Sequence, residues 1–426
     1  MGCEDLSYIK NDKNGSKYND EITQSFGTDL QNTIEYLKNL AYSKSGFYNN
    51  ENRRYLWILA LDIDLEHMYD DYFLERLAEN ADRRLYSQIE CDISRCLHKG
   101  EDLRSNLKNI LLAIYSLHKH EFSYIQGIHD IGSVFVSVYL EDYEILRNEN
   151  IPGKFEQLEN IDNKIYTQIK EKLSTKKGRI NICFTLLEKF LLWYSNMFSY
   201  NTDQSTEYNL DNVLSAIGMD LLSLINEQDT ELSTFMEKLI ITQDSISSIF
   251  MFCLPWLISW FSHNIPTSDK SIIFRLFDLF LTNPPIFLLH IISQLVIYNK
   301  EDLFKYISNE VEVQDLIQNC NYDMYPFFHF YFQNLDLQSQ PWEILISRAK
   351  KSFDNHNSRF YKSAKFWRCP KYIQTSYIKN TLYGKIMNIY KLVLEISITN
   401  NKDIFLWTIL GIFISYITFV LYNYRT

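Results

Sequence analysis

Two short segments of this chain carry residue types that could act on a phosphate. The first, IECDISR, runs from Ile89 to Arg95, and the second, YIQG, runs from Tyr124 to Gly127, so that Arg95 and Gln126 are 31 residues apart. An arginine and a glutamine that reach the same phosphate could together accelerate nucleotide hydrolysis on a partner protein. The arginine would stabilise the developing negative charge, and the glutamine would orient the attacking water.

Each segment also has an ordinary explanation when it is taken alone. Asp92 and Arg95 are three residues apart, so on a helix they would share a face with Ile89, and such a group is commonly a solvated ion pair above an apolar stripe. Gly127 would relieve crowding after Gln126 and let the backbone approach a ligand, but the second segment could also be a plain loop between two helices. For Asp92 the structural and functional interpretations stay open at this point.

The order of these segments, together with a third, resembles the three signature motifs of the TBC family of Rab GTPase-activating proteins. The third segment, GFYNNENRRYLW, precedes the other two and runs from Gly46 to Trp57. The matching residues are Arg53 and Trp57 for the first motif, Ile89, Asp92 and Arg95 for the arginine-finger motif, and Tyr124, Gln126 and Gly127 for the glutamine-finger motif.

Segments further along the chain extend the resemblance over roughly residues 46–352. FCLPWLISWFSH at Phe252–His263 and FRLFDLFL at Phe274–Leu281 are similar to the C-terminal half of the family's domain. Ile128–Asp130, the string ISRA at Ile346–Ala349 and a hydrophobic C-terminal segment resemble the branch of the family that is anchored in the endoplasmic reticulum.

The resemblance implies an all-α domain that supplies Arg95 and Gln126 in trans to a GTP-bound Rab, with Gln126 in place of the Rab's own glutamine. Such a chain is a GTPase activator and not an enzyme on its own. It has no cofactor and binds no metal, since the GTP and the magnesium belong to the Rab. The branch resemblance points to a Rab of traffic between the endoplasmic reticulum and the Golgi.

The remaining motif residues would support the Rab-GTP site or the fold. Asp92, beside Ile89, would orient Arg95 or a neighbouring backbone group. Tyr124, with Gly127, would hold the glutamine loop by packing or by a hydrogen bond. Arg53 and Trp57 are expected to serve the fold, through an ion pair and a buried indole.

Composition and periodicity favour the same fold class. The chain has 426 residues, 46% of them hydrophobic, and only 12 glycines and 8 prolines, which favours helices over a loop-rich β protein. In Leu107–Leu117 and Ser271–Leu281 the apolar residues recur at helical spacing. Seven scattered cysteines without a C-x-x-C pair indicate reduced thiols in the cytosol.

Charge and hydrophobicity divide the chain. Residues 355–391 carry eight basic and no acidic side chains, and because the net charge is −11 the rest of the chain carries −19. An acidic body argues against a general nucleic-acid binder. The predicted parts are a disordered N-terminal segment at 1–35, a TBC domain at 36–352 with a polar insertion at about 141–179, a basic linker at 353–402 and a tail anchor at 403–426.

The anchor prediction depends on 19 uncharged residues at Ile404–Tyr422. A helix of this length spans about 28 Å, close to the hydrocarbon thickness of a bilayer. Trp407 and Tyr422 lie near its two ends, as in an aromatic belt. A buried C-terminal helix is the alternative.

The basic linker would either contact anionic lipid or stay solvated. The residues Met1-Gly2-Cys3 do not complete a myristoylation pattern, because position 6 is Leu6.

Two other functions use the same part of the chain. His118, His120, Glu121, His129 and Asp130 lie within 13 positions, and with His263 and Asp278 they could form the site of a metal-dependent HD-type phosphohydrolase. A capping or core histidine is the ordinary explanation of His129. The third possibility is a catalytically inactive, membrane-bound scaffold that only binds a Rab, and the presence of both Arg95 and Gln126 argues against it.

Overall fold

A computed structural model gives the fold of the region N-terminal to Arg368. It describes residues 28–65, 68–69, 71–95, 100–119, 123–141, 163–192, 210–243, 245–265, 270–318, 323–356 and 361–367. Every regular element in these ranges is a helix, and the ranges contain no strand. The predicted all-α class is therefore confirmed for the described residues.

The helices are numbered here in chain order. Those of the first half are α1 (Thr28–Tyr42), α2 (Asn50–Ala60), α3 (Asp71–Glu79), α4 (Arg83–Ile93), α5 (Glu101–Leu117), α6 (Ile128–Leu140), α7 (Asn163–Leu173) and α8 (Lys176–Phe190). Those of the second half are α9 (Leu210–Asn226), α10 (Thr230–Gln243), α11 (Ile246–Ile249), α12 (Leu254–Ser259), α13 (Ser271–Phe280), α14 (Phe287–Tyr298), α15 (Lys300–Gln318), α16 (Tyr325–Gln333), α17 (Trp342–His356) and α18 (Ala364–Trp367). A 3₁₀ turn, Phe250–Cys253, joins α11 to α12.

Helix α6 lies at the centre of the first half and is buried along its whole length. Its sequence is mostly apolar, and its polar residues, such as His129 and Asp130, are buried as well, as in a helix surrounded by other helices. It packs against α4, α5, α8 and α12. Gly132 lets α5 come close, because a Cβ at this position would lie 2.7 Å from Cδ1 of Leu107. The helix that follows the glutamine loop is thus fixed by the core.

Aromatic side chains order the segment from Phe252 to His263. The rings of Phe252 and Phe332 stack with centroids 4.8 Å apart, and those of Trp256 and Phe261 stack at 5.4 Å. Trp260 packs edge-on against Phe190 of α8, at 4.6 Å. Large buried aromatic rings contribute strongly to core stability, so this segment has a defined position in contact with α6.

The packed body extends beyond both predicted boundaries. Helix α1 begins at Thr28, within the segment predicted to be disordered, and α17 continues to His356, past the predicted domain end at 352. Tyr361 and Trp367, assigned to the basic linker, are buried. The Tyr361 hydroxyl lies 2.8 Å from Nε2 of His290. Apolar and aromatic residues inside the basic stretch account for this difference.

The structure describes the predicted insertion at about 141–179 only in part. Residues 142–162 lie outside the described residues, whereas 163–173 form α7 and α8 begins at Lys176. Arg179 is buried and its Nε donates to the carbonyl oxygen of Leu173. The C-terminal part of the polar stretch therefore belongs to the helical body.

The predicted anchor at 404–422 lies outside the described residues. Among the helices of the described ranges, none combines the length and the apolar character needed to cross a bilayer.

Candidate functional site

The arginine segment begins inside a helix and ends just outside it. Asp82 caps α4, because its side chain accepts a hydrogen bond from the backbone N–H of Arg84 at 2.8 Å. Ile89 is fully buried, and Asp92 is 4% exposed. The helix ends at Ile93 with Ser94 as its C-cap. The sequence placed Arg95 on the helix itself, whereas it follows the cap.

The side chain of Arg95 points outward from a buried support. It is 60% exposed, while the Asp92 side chain is 5% exposed. Nη2 of Arg95 donates to Oδ1 of Asp92 at 2.7 Å. The backbone N–H of Arg95 also donates to the carbonyl oxygen of Asp92, at 3.0 Å. One end of the guanidinium is thus tied to the domain, and the rest of this cation faces solvent.

The second oxygen of the same carboxylate connects the two motifs. Oδ2 of Asp92 accepts a hydrogen bond from the Tyr124 hydroxyl at 2.9 Å. Burial, followed by the charge of Asp92, raises the pKa of Tyr124 well above its usual value, so the phenol keeps its proton and acts as the donor. The ring of Tyr124 packs edge-on against Tyr115 of α5, with centroids 5.3 Å apart. Asp92 therefore holds Arg95 and the base of the glutamine loop together.

The glutamine loop turns sharply at Gly127 and presents Gln126 to solvent. Gly127 has φ +104°, a conformation that favours glycine, and it is the residue before α6. A Cβ on Gly127 would lie 2.9 Å from Cγ2 of Ile258. Gln126 is exposed, and its amide makes no hydrogen bond to another described residue. The loop backbone is thus packed against α12 while the glutamine side chain remains available.

Residues just after the loop form a second polar group. Nδ1 of His129 accepts from the backbone N–H of Gly127 at 3.4 Å. Its other ring nitrogen, Nε2, lies 3.5 Å from Oδ1 of Asp130. Oδ2 of Asp130 accepts from Nδ1 of His263 at 2.8 Å. The sequence placed His263 near His129 and Asp130 only in the metal-site alternative, and it did not predict that Ile258 approaches this loop.

An unusual backbone turn places His263 there. Trp260 and Phe261 have φ values of +50° and +67°, which are rare for bulky residues. Such conformations cost about 1 to 3 kcal/mol each and concentrate at functional sites. The buried packing of both rings holds the turn, which ends α12 and redirects the chain toward Asp130.

The two histidines that share Asp130 differ in their pKa. Burial lowers the pKa of His129, and the nearby carboxylates of Asp130 and Asp92 oppose this effect. The hydrogen bond to Asp130 raises the pKa of His263, against partial burial and the positive charge of Arg95. At neutral pH His129 is therefore neutral, while His263 is the more readily protonated ring.

The first motif, Arg53 and Trp57, lies in the core. Nε and Nη2 of Arg53 donate to Oδ1 and Oδ2 of Asp278 at 3.0 and 2.9 Å. The indole N–H of Trp57 donates to the same carboxylate at 2.9 Å, and so does the backbone N–H of Phe47, at 3.0 Å. Asp278 is fully buried. Arg53 and Trp57 thus tie the N-terminal helices to α13, which is a structural role.

Of the residues considered for a metal site, only His129, Asp130 and His263 lie together among those that the structure describes. Asp278 is occupied by Arg53 and Trp57. His118 is fully buried, and its Nε2 lies 2.8 Å from Oε1 of Glu188. His120 and Glu121 lie outside the described residues. Within the described part of the chain, no group of three or more His, Cys, Asp or Glu side chains has an arrangement that could hold a metal ion.

Comparison with known proteins identifies the family that this sequence matches. The sequence model of the Rab-GTPase-TBC domain matches residues 50–304. TBC1 domain family member 20 from Homo sapiens is 24% identical over 344 residues, which cover 78% of this chain and 66% of the human protein. GTPase-activating protein gyp10 from Schizosaccharomyces pombe is 20% identical over 283 residues, covering 65% of this chain and 60% of that protein.

The chain therefore matches about two thirds of the length of these relatives. Among solved structures, the Ypt/Rab-GAP domain of Gyp1p covers 80% of this chain and 98% of its own, with a TM-score of 0.49 and 16% sequence identity.

Proposed function

The chain belongs to the Rab-GTPase-TBC domain family, and on that premise we propose that it accelerates GTP hydrolysis by a Rab-family GTPase with Arg95 and Gln126 as its two fingers. The observation that carries the proposal is the hydrogen-bonded connection Arg95–Asp92–Tyr124. It fixes the bases of two segments whose arginine and glutamine both remain exposed. The names of two relatives, one of them called a GTPase-activating protein, agree with this activity.

Arg95 acts on the negative charge that GTP hydrolysis spreads over the γ-phosphoryl oxygens. Its guanidinium remains charged at all physiological pH values and offers several donors in one plane. One of these donors, Nη2, is hydrogen-bonded to Asp92, so the guanidinium is already oriented before the Rab binds. Groups that are already oriented stabilise a transition state without reorganisation. An arginine finger of this kind accounts for about 10³- to 10⁵-fold in rate.

Gln126 positions the attacking water in place of the Rab's own glutamine. Its amide both donates and accepts, so that it can hold a water and a phosphate oxygen at once. The positive φ of Gly127 and the contact with Ile258 fix the backbone from which this side chain extends. No side chain of the chain needs to act as a general base. GTP and magnesium are brought by the Rab.

The test is phosphate release from a panel of GTP-loaded Rabs, with the full-length chain purified in detergent. Arg95→Ala and Gln126→Ala should each abolish the acceleration. Gln126→Ala should leave the melting temperature unchanged because its side chain is exposed, whereas Arg95→Ala should lower it, since the buried carboxylate of Asp92 loses a partner. Arg84→Ala, an exposed arginine on α4, is the matched control and should retain full activity. Acceleration that persists in both finger variants would contradict the mechanism. Rab binding without any acceleration by the unaltered chain would indicate an inactive scaffold.

We further propose that the domain works on the cytosolic face of the endoplasmic reticulum membrane, on a Rab of early secretory traffic. Residues 404–422 would form a single membrane-spanning helix, since they are uncharged and long enough to cross the hydrocarbon layer. Basic residues in 355–391 would lie near anionic lipid. Alkaline carbonate extraction should leave the full-length chain in the membrane pellet. Its recovery in the supernatant would rule out this helix.

A further inference from the structure

The ring of His129 contacts the backbone of the glutamine loop directly. His129 is the second residue of α6, and its side chain is 5% exposed. Nδ1 accepts from the N–H of Gly127 at 3.4 Å. This N–H belongs to the peptide bond that follows Gln126. A contact at this atom therefore bears on the direction in which Gln126 leaves the loop.

The contacts of Nδ1 determine which ring nitrogen carries the proton. The donor that faces Nδ1 is the N–H of Gly127. The Tyr124 hydroxyl lies 3.3 Å from Nδ1, but its single proton is donated to Oδ2 of Asp92, so it gives none to the ring. A nitrogen that accepts a hydrogen bond has a free lone pair, so Nδ1 is unprotonated. In a neutral imidazole the proton is then on Nε2, which lies 3.5 Å from Oδ1 of Asp130. The carboxylate is thus placed to favour the Nε2–H tautomer.

His263 holds that carboxylate from the other side. Asp130 is 3% exposed, and its Oδ2 accepts from Nδ1 of His263 at 2.8 Å. A buried carboxylate needs such partners to remain ionised and in one orientation. The charged and titratable groups that face His129 are Asp130, Asp92, His263, Arg95 and Tyr124. Burial outweighs the two carboxylates among them and keeps the ring neutral.

We propose that His129 is a positioning residue for Gln126, and that Asp130 and His263 hold its ring in the Nε2–H tautomer so that Nδ1 fixes the Gly127 peptide. None of the three needs to touch the Rab or the nucleotide. The effect on rate rests on the proposed function, because it acts through Gln126. The tautomer and its contact are properties of this chain alone and can be measured without a Rab.

The tautomer is tested first, by NMR on the full-length chain in detergent with ¹⁵N-labelled histidine. The chain has nine histidines, and His129→Gln identifies the signal by removing it. At neutral pH the expected result for His129 is an unprotonated Nδ1 and a protonated Nε2. Asp130→Asn should change the populations of the two tautomers. A proton on Nδ1 in the unaltered chain would overturn the proposal.

Kinetics then test the effect on Gln126, with the Rab that the unaltered chain accelerates most. His129→Leu removes the acceptor, and we expect kcat to fall at least about tenfold with KM changed less than about threefold, since small misplacements of a catalytic group cost rate and not binding. His129→Asn offers an amide oxygen near the position of Nδ1 and should recover most of kcat. His329→Leu, on α16, is the matched control and should leave kcat unchanged.

The possible outcomes separate the two proposals. Unchanged kcat in His129→Leu, or equal losses in His129→Leu and His129→Asn at equal melting temperatures, would overturn the positioning role. If the unaltered chain accelerates no Rab, the proposed function fails, while the NMR experiment still decides the tautomer. A joint fall of kcat and melting temperature in both variants would indicate a structural role only, and would also count against the proposal.

Discussion

The hydroxyl of Tyr124 lies 2.9 Å from Oδ2 of Asp92, and this hydrogen bond joins the segment of Arg95 to the loop of Gln126. Both residues of the bond are buried, whereas the two side chains that they support are exposed. A hydrogen bond to a buried charged group is among the stronger ones in proteins. The relative position of the two fingers therefore depends on a contact that neither finger makes itself.

Removal of that hydroxyl should weaken both the fold and the activity. Tyr124→Phe leaves Oδ2 of Asp92 without its donor, and we expect a loss of about 1.5 to 3 kcal/mol in the free energy of unfolding. Acceleration of Rab GTP hydrolysis should fall as well. Tyr86→Phe is the control, because this exposed hydroxyl accepts a hydrogen bond from the exposed end of Lys108 and its loss should stay within about 0.5 kcal/mol. Equal melting curves for the two variants would show that the hydrogen bond from Tyr124 to Asp92 does not stabilise the fold.

The backbone at Gly127 should tolerate no side chain. Gly127→Ala places a Cβ at φ +104° and 2.9 Å from Cγ2 of Ile258, so we expect a loss of about 1 to 3 kcal/mol in stability and a lower kcat. Ile258→Ala in the same chain would relieve the contact but not the backbone strain, and should restore only part of the loss. Gly100→Ala is the matched control, since the nearest atoms lie 4.0 Å away and its φ is −75°. Denaturant unfolding measures all three.

The ion pair of Arg53 and Asp278 should be needed for the fold and not for catalysis. Arg53→Met leaves a fully buried carboxylate without its cation, and such changes cost about 3 to 5 kcal/mol. Because burial raises the pKa of Asp278, part of the loss is recovered if this carboxyl takes up a proton. The comparison is Lys176→Met, which breaks an exposed pair with Asp102 and should cost less than about 1 kcal/mol. A folded Arg53→Met protein should still accelerate hydrolysis.

The contribution of His263 should depend on pH in a defined direction. Its hydrogen bond to Asp130 raises its pKa in the folded state, so the folded protein binds the proton more tightly than the unfolded chain. The stabilisation is then fully present below the usual value of about 6.5 and is lost as the pH rises through the raised value. The difference in melting temperature between the unaltered chain and His263→Gln should shrink over that window. An effect of only about 1 °C is expected, since the ring is 57% exposed.

The chain after α17 should stabilise the body as far as Trp367. Both carboxylate oxygens of Asp220 accept backbone N–H groups, from Lys362 at 3.0 Å and from Ser363 at 2.8 Å. A chain that ends at residue 356, where α17 ends, should therefore melt at a lower temperature than one that ends at 367. Asp220→Ala in the longer chain should reproduce much of that difference. Equal melting temperatures for the two truncated chains would show that the segment only rests on the surface.

The sequence by itself determined the helical class and the residues of the finger motifs. Helical periodicity is local, so that apolar spacing in α5 and α13 already indicated their buried faces. The motif residues were recognisable because their types and order resemble those of a family. The sequence also indicated an ion pair for Arg53, but not its partner.

Only the tertiary structure decided which distant residues contact the three motifs and the helix that follows them. Asp278 is 225 residues from Arg53, and His263 is 133 residues from Asp130. Contacts of this kind depend on how helices pack, which local spacing does not encode. The sequence could not decide the partners of Asp92, because a carboxylate near a helix end can face solvent as easily as the core. The structure shows that its two oxygens bind Arg95 and Tyr124. Burial of Asp92 at the junction of α4, α5 and α6 resolves that choice.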